Sequence, residues 1–230
     1  MAETRLIGLV GGLGPAATVH YYQGLLAECE KRELLARIVI SHADAPRVLA
    51  AAAEGNLKGM ALYLAERLAE LDRAGAGVSA IAAVTPHMCL PELAQLTQSH
   101  LVDIVHVLNH DLKRSGIKRI ALMGTRATVG GRMFDRLEAT VVDPSPEQVA
   151  RIHDLYVSIV YKGQVDPDEA DALGMLARDL KQELQVQAIV LAGTELALVP
   201  AKIWEGVRVV DCAKLHIEAI VAASASAQPL

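Results

Sequence analysis

The chain has 230 residues, 52% of them hydrophobic and 21% charged, so it is long and apolar enough to bury a sizeable core. Aromatic residues make up only 3% and the formal net charge is -5, which together argue against a nucleic-acid partner. Three cysteines without CxxC spacing are typical of reduced thiols in a cytoplasm.

The chain start carries only a short apolar run that breaks at a glycine pair, which is too short for a secretory signal. No uncharged apolar run reaches the length of about 18 residues that a membrane span needs. We therefore predict a cytoplasmic protein with no membrane partner.

Short apolar runs, each about as long as a strand, recur along the chain. Because these runs do not alternate with polar residues, they predict strands of parallel sheets that helices cover on both faces. The runs are 5–10, 36–41, 77–84, 119–124 and 188–193, with weaker runs at 140–143 and 207–211.

Longer segments with helical spacing of apolar residues lie between these runs. The segment 143–163 begins with Asp and Pro start signals and ends at a glycine. The order of strands and helices predicts an α/β fold. The predicted helices are 16–32, 57–75, 143–163 and a closing helix 213–227.

The chain also repeats itself loosely. LIGLVGGLGPAAT near residue 6 resembles IALMGTRATVGG near residue 120, and AIAAVTPH at residue 80 resembles AIVLAGTE at residue 188. We therefore predict two pseudo-symmetric Rossmann-like lobes, 1–100 with the closing segment 211–230, and 101–210. Because open α/β sheets bind ligands outside the carboxyl ends of their strands, the active-site crevice is expected between the lobes.

Two glycine- and threonine-rich turns are candidate anion sites. Gly12 lies in the loop GGLGPAAT, whose backbone amides at a helix start either hold a carboxylate or only form a tight turn. Thr125 and Thr128 in GTRAT either donate to a carboxylate or only cap the next helix. Arg126 between them is an anion clamp or a solvated surface residue.

Two further strand ends carry titratable side chains. Thr85 and His87 follow the run at 77–84, and His87 is the best candidate for a general acid or base, against a purely structural role. Thr194 and Glu195 follow the run at 188–193. The remaining histidines have no metal-ligand spacing, so no metal site is predicted.

These motifs resemble the aspartate/glutamate racemase superfamily, and within it the aspartate racemase branch. IGLVGGLGPAAT, GTRAT, DPSPEQVARIHDLYVSIVYKG and LAGTELALVP follow the order and spacing of that family over nearly the whole chain. The resemblance implies a PLP-independent, metal-free amino-acid isomerase, often a homodimer. It also marks Thr85, His87, Thr125, Thr128, Thr194 and Glu195 as pocket-lining.

The sequence departs from this family at the two thiols that the resemblance makes catalytic. The first cysteine position corresponds to Ala83 and the second to Gly193, and Val84 stands where the family has an asparagine. Cys89 lies six residues past Ala83, too far along the chain to replace the first thiol. The two-thiol mechanism is therefore not expected.

Three hypotheses remain open from the sequence. The first is a racemase-family enzyme with altered acid–base groups, a lyase or isomerase that uses His87 and Glu195. The second is a binding protein that holds a small carboxylate or amino acid without converting it, as a sensor or inert paralogue. The third, ranked lowest, is a structural oligomer subunit.

Overall fold

The structure, a computed structural model, describes residues 2–225. The chain divides into two compact units. Among the described residues, unit 1 comprises 2–104 and 214–225, and unit 2 comprises 105–213. Residues 226–230 of the predicted closing segment lie outside the described part of the chain.

The strands are short and correspond to the predicted apolar runs, with two additional two-residue strands near the start of the chain. Each pairing between them is parallel. The strands are β1 (Ala2–Glu3), β2 (Ile7–Gly11), β3 (Leu34–Leu35), β4 (Ile38–His42), β5 (Val78–Ile81), β6 (Arg119–Met123), β7 (Thr140–Val141), β8 (Ala188–Leu191) and β9 (Val209–Asp211).

The helices include the four predicted ones, and others fill the intervening segments. They are α1 (Pro15–Lys31), α2 (Ala45–Ala53), α3 (Leu57–Arg73), α4 (Leu90–Leu93), α5 (Ile104–Arg114), α6 (Arg126–Val129), α7 (Pro146–Lys162), α8 (Pro167–Leu184) and α9 (Cys212–Ala225). None of the helices described over residues 2–225 combines the length and apolar character that crossing a membrane requires.

The main sheets of the two units share one strand order. In unit 1 the order is β4-β2-β5, and Leu101 adds a parallel bridge to Ser79 of β5. In unit 2 the order is β7-β6-β8-β9. In the repeat that the sequence predicts, β2 of unit 1 is therefore equivalent to β6 of unit 2, and β5 is equivalent to β8.

Each unit has its own aliphatic core. In unit 1, side chains of α2 and α3 pack on β2 and β5, and in unit 2 those of α7 and α8 pack on β6 and β8. The central strands β2, β5 and β8 are buried at every residue, as predicted for strands with two covered faces. The edge strand β4 differs, because Ile40 is 43% exposed.

One strand is shorter than predicted. The apolar run 77–84 forms a strand only as far as Ile81. The amide of Ala82 still donates to the Val10 carbonyl at 3.0 Å, but beyond that point the neighbouring strand turns away at Gly12. Residues 82–84 therefore leave the sheet and lead into a short 3-10 turn, Thr85–Cys89.

Candidate functional site

The turn after β2 requires a glycine at residue 12. Gly12 has φ +86, and a Cβ there would lie 2.4 Å from the Ala43 carbonyl oxygen. The Gly12 amide donates to Thr18 Oγ1 at 2.9 Å. The amide of this predicted binding residue is thus bonded within the turn.

The start of α1 is the feature of this loop that suits an anion. Gly14 precedes the helix and has no side-chain cap, and Pro15 occupies the first turn. The amides of the first helical turn have no intrahelical carbonyl partner, and they point along the helix axis toward its start. The loop therefore combines a required glycine with an anion-favouring helix start.

The end of β5 places Ala83 and Val84 in the interior of unit 1, with 8% and 3% of their surface exposed. Thr85 begins the 3-10 turn and is half-buried. His87 is 1% exposed, and its Nδ1 donates to the Ala83 carbonyl oxygen at 3.0 Å. This bond and this burial give His87 a structural role. Its catalytic role stays a prediction.

His87 belongs to a buried cluster within unit 1. Its ring meets the ring of His216 edge-on, with centroids 5.9 Å apart. His216 of α9 bonds through Nδ1 to the Tyr21 hydroxyl and through Nε2 to the Val102 carbonyl, each at 2.9 Å. His216 and Tyr21 are not among the residues predicted from the sequence, because only the tertiary fold brings α1 and α9 to this strand end.

In the turn after β6, two threonines are hydrogen-bonded to each other. Thr125 Oγ1 accepts from the Thr128 amide at 3.0 Å and donates to Thr128 Oγ1 at 2.8 Å. Thr125 is therefore the N-cap of α6, which is the capping alternative for this residue and not the carboxylate-binding one. Arg126 is exposed and pairs with Asp154 at 3.3 Å, which is a surface ion pair.

The ends of β6 and β8 touch each other within unit 2. The Ala192 amide donates to the Met123 carbonyl at 2.7 Å, and a Cβ on Gly124 would lie 2.7 Å from the Ala192 carbonyl oxygen. This contact brings the Thr125 and Thr194 turns to the same edge of the sheet. Ligands of open α/β sheets bind at such an edge.

The turn after β8 contains a buried polar cluster. Glu195 is 2% exposed, and its Oε2 accepts from the Tyr156 hydroxyl and, at 3.0 Å, from Thr194 Oγ1. Burial raises the pKa of Glu195, although the bonds from Tyr156 and Thr194 oppose that shift. Burial, and then the charge of Glu195, raise the pKa of Tyr156 well above its usual value.

Tyr156 is the residue of this site that sequence reasoning missed. A Cβ at Gly193 would lie 2.3 Å from Tyr156 Cε2 and 2.8 Å from Cζ, so the phenol ring fills the space of a side chain at residue 193. The helical period of α7 places Tyr156 on the buried face with Ile152 and Ile159. That period predicts burial, but not the contact with the β8 turn.

The three thiols of the chain are buried, and none of them stands at residue 83 or 193. Burial and the charge of Glu92 raise the pKa of Cys89 to about 12, and its Sγ donates to the Pro86 carbonyl. Burial also raises the pKa of Cys29 and of Cys212. Thiols with raised pKa values carry little thiolate at neutral pH, so they are poor bases.

The fold matches solved structures of racemases over nearly its whole length. A candidate Asp/Glu racemase from Yersinia pestis shares 23% identity with a TM-score of 0.82, covering 96% of this chain and 100% of its own. An aspartate racemase homologue from Pyrococcus horikoshii shares 19% identity, TM-score 0.81, over 96% and 100%. Picrophilus torridus aspartate racemase shares 20%, TM-score 0.72, over 96% and 94%.

These likenesses confirm the predicted α/β fold with parallel sheets flanked by helices. Residues 10–220 match the family model described as Asp/Glu/Hydantoin racemase. That match spans most of the chain, including the loops after β2, β5, β6 and β8. The chain therefore belongs to the Asp/Glu/Hydantoin racemase family, as its motifs predicted.

Proposed function

We propose that this protein binds a small carboxylate or amino acid at the carboxyl ends of its central strands, and that it does so without a catalytic thiol. The observation that carries the proposal is the chemistry at these strand ends. In unit 1 the helix start after Gly12 and the hydroxyl of Thr85 lie at strand ends, and in unit 2 the hydroxyls of Thr125, Thr128 and Thr194 do, whereas Ala83 and Gly193 bring no thiol.

The polar groups at these strand ends suit a small carboxylate or an amino acid. The start of α1 has no side-chain cap, and helix starts favour negative charge. In unit 2 the hydroxyls of Thr125, Thr128 and Thr194 lie at one edge of the sheet and are buried. Thr125 and Thr194 already donate to Thr128 Oγ1 and Glu195 Oε2, so their oxygens can accept from the ammonium group of an amino acid. Such bonds are electrostatically stronger in a buried site than in water.

A thiol mechanism has little chemical support in this chain. Removing a proton next to a carboxylate requires a strong, positioned base. The burial that raises the pKa of Cys89 to about 12 leaves this thiol of the turn after β5 almost wholly protonated at neutral pH. The proposal therefore covers a binding protein, such as a sensor, and an enzyme whose acid–base groups are not cysteines.

A second candidate function is a lyase or isomerase that uses His87 and Glu195. The specific observation in its favour is the burial that raises the pKa of Glu195, because buried carboxyl groups with perturbed pKa values are frequent at catalytic sites. His87 would supply the other titratable group, from the end of β5.

We further infer a cytoplasmic homodimer that uses neither PLP nor a metal. An apolar stripe on α1 supports a subunit interface, since Val19, Tyr22 and Leu26 are 54%, 44% and 40% exposed and share one helix face. Sedimentation equilibrium should give twice the mass of the chain, and a monomer at micromolar concentration would contradict this inference.

Ligand-induced thermal stabilisation tests the proposed function. L- and D-aspartate, L- and D-glutamate and succinate are added separately, and a ligand specific to the native state must raise Tm. Thr194 Oγ1 donates to Glu195 and can still accept from the ammonium group of an amino acid. We expect Thr194→Val to weaken the apparent Kd for an amino acid about tenfold, because one hydrogen bond is worth about 1.4 kcal/mol. The matched control is Thr140→Val at the exposed start of β7.

Two results would contradict the proposal. One is a wild-type protein whose Tm no carboxylate of this set changes at millimolar concentration. The other is a Thr194→Val variant that binds as tightly as Thr140→Val and the wild type, because the hydroxyl at the end of β8 would then not contribute to binding.

A further inference from the structure

The end of β8 holds two hydroxyl groups on one carboxylate oxygen. Tyr156 Oη and Thr194 Oγ1 both donate to Glu195 Oε2. Tyr156 is 8% exposed, and Thr194 and Glu195 are each 2% exposed. A carboxylate in such a setting is held in place by its donors and shielded from water, which are properties of a proton-transfer group.

The position of the phenol within this turn is set by Gly193. The ring edge occupies the space in which a side chain at residue 193 would begin, since its Cζ would lie 2.8 Å from that Cβ. The hydroxyl oxygen is bonded directly to Cζ. The structure therefore puts an O–H group at the strand end where Gly193 itself contributes no side chain.

We propose that Tyr156 and Glu195 form a proton-transfer dyad that acts on the C–H group next to the carboxylate of a bound amino acid. This inference rests on the proposed binding function and adds a reaction to it. Tyr156 is the member that touches the ligand, and Glu195 is the base behind it.

The proton and electron count of the step is simple. The α-proton of the ligand passes to Tyr156 Oη while the phenol proton passes to Glu195 Oε2. The C–H electron pair remains on the ligand and is delocalised into its carboxylate as an enolate. The reverse transfers return a proton to carbon, so the step needs no oxidant, reductant or further reactant.

The surroundings of the dyad favour this concerted path over a free phenolate. Burial and the adjacent Glu195 charge raise the pKa of Tyr156, so a negative charge on the phenol oxygen is costly. Burial also raises the pKa of Glu195, which makes its carboxylate a stronger base than one in water. The negative charge therefore passes from Glu195 to the ligand, and not to the ring.

Exchange of the α-proton with solvent deuterium tests the dyad. The folded full-length protein is incubated with L- or D-aspartate or L- or D-glutamate in deuterated water, and loss of the α-proton is followed by NMR. We expect exchange by the wild type, and exchange at least about 100-fold slower in Tyr156→Phe and in Glu195→Gln, within the range of general acid–base contributions. Tyr161→Phe, which removes an 83% exposed phenol from the same helix, should exchange like the wild type.

Thermal shift with the same amino acids separates this inference from the proposed function. We expect Tyr156→Phe and Glu195→Gln to fold and to keep a ligand-induced rise in Tm, because each keeps the shape of the native side chain. A wild type that binds without exchange overturns the dyad and leaves the binding function intact. Exchange by Tyr156→Phe or Glu195→Gln at the wild-type rate also overturns the dyad, whereas a wild type without a thermal shift contradicts the binding function itself.

Discussion

His216 illustrates how single buried residues of unit 1 are held in one protonation state. Its Nδ1 accepts from the Tyr21 hydroxyl and its Nε2 donates to the Val102 carbonyl, which satisfies a neutral imidazole. Burial, and then the charge of the adjacent His87, lower the pKa of His216 to about 3. The contacts with Val102 and Asp103 oppose this shift but do not reverse it.

This pKa predicts a loss of stability in acid. Because the folded pKa of His216 is about 3 and the ordinary value is 6.5, the unfolded chain binds the extra proton between these values. The contribution of neutral His216 is fully present above pH 6.5 and is lost as the pH falls toward 3. As the pH falls from 6.5 toward 3, the free energy of unfolding should therefore fall faster in the wild type than in His216→Gln. The difference should be about 1.4 kcal/mol per pH unit.

Urea denaturation between pH 7.5 and about 4.5 measures this difference. Glutamine keeps one donor and one acceptor but does not titrate, so His216→Gln removes only the linked proton. His106→Gln, at an exposed position of α5, is the control and should follow the wild type. Parallel pH profiles for His216→Gln and the wild type would show that burial of His216 is not linked to folding.

The sequence predicted the candidate residues at this scale but not their partners. His87 was recognisable from its place after an apolar run, whereas its contact with His216 joins segments far apart in the chain. Capping of α6 by Thr125 is local and could be foreseen. Burial of His87 and Glu195 could not, because it depends on which helices pack over each strand end.

At the scale of elements, the packing of α7 on the β8 turn defines the candidate site of unit 2. The sequence predicted α7 over 143–163, and the helix spans Pro146–Lys162 with the capping box that Ser145 and Gln148 form. Its apolar period identifies the buried face. The register of that face against β8 is a tertiary property, so the proximity of Tyr156 and Gly193 was not predictable.

The fit of α7 to β8 predicts an energetic coupling between these two residues. Gly193→Ala should cost about 1–3 kcal/mol, because its Cβ would lie 2.3 Å from the Tyr156 ring and that ring is packed and hydrogen-bonded. In a Tyr156→Ala background the added methyl group has room, so most of this cost should disappear. Equilibrium urea denaturation of the four proteins gives the coupling as a double-mutant cycle.

Gly130→Ala is the control for this cycle. Its Cβ would meet only the Arg126 carbonyl oxygen, at 3.2 Å, and no atom of Tyr156. The cost of Gly130→Ala should therefore be the same with and without the Tyr156 ring. An equal cost of Gly193→Ala in both backgrounds would mean that the ring does not occupy the space beside residue 193.

At the scale of the whole molecule, two units repeat one strand order, and the sequence predicted this class of fold from its apolar runs and their repeat. Of the helices with nine or more residues, α2, α5 and α8 are absent from the predicted elements. Asp166, Pro167 and Glu169 carry a clear start signal for α8, so the sequence contained enough to predict that helix. The amphipathic α5 follows Asp103, a residue type that caps helices, but it lacks the Pro and the capping-box Glu that mark the start of α8.

For the whole molecule, we propose that the strand ends act on a small carboxylate through oxygen groups and not through sulfur. The variant Cys29→Ala, Cys89→Ala, Cys212→Ala removes every thiol of the chain. These three side chains are buried and reduced, so small alanine substitutions should preserve the fold.

The most direct measurement is the rate of α-proton exchange of aspartate and glutamate in deuterated water by this thiol-free variant. We expect the thiol-free variant to exchange the α-proton at the wild-type rate. We expect this exchange to be lost when Tyr156→Phe is added to the same variant. The contrary result is a thiol-free variant that folds and binds the ligand but no longer exchanges the α-proton, while the wild type does. That result would show that proton transfer requires a cysteine.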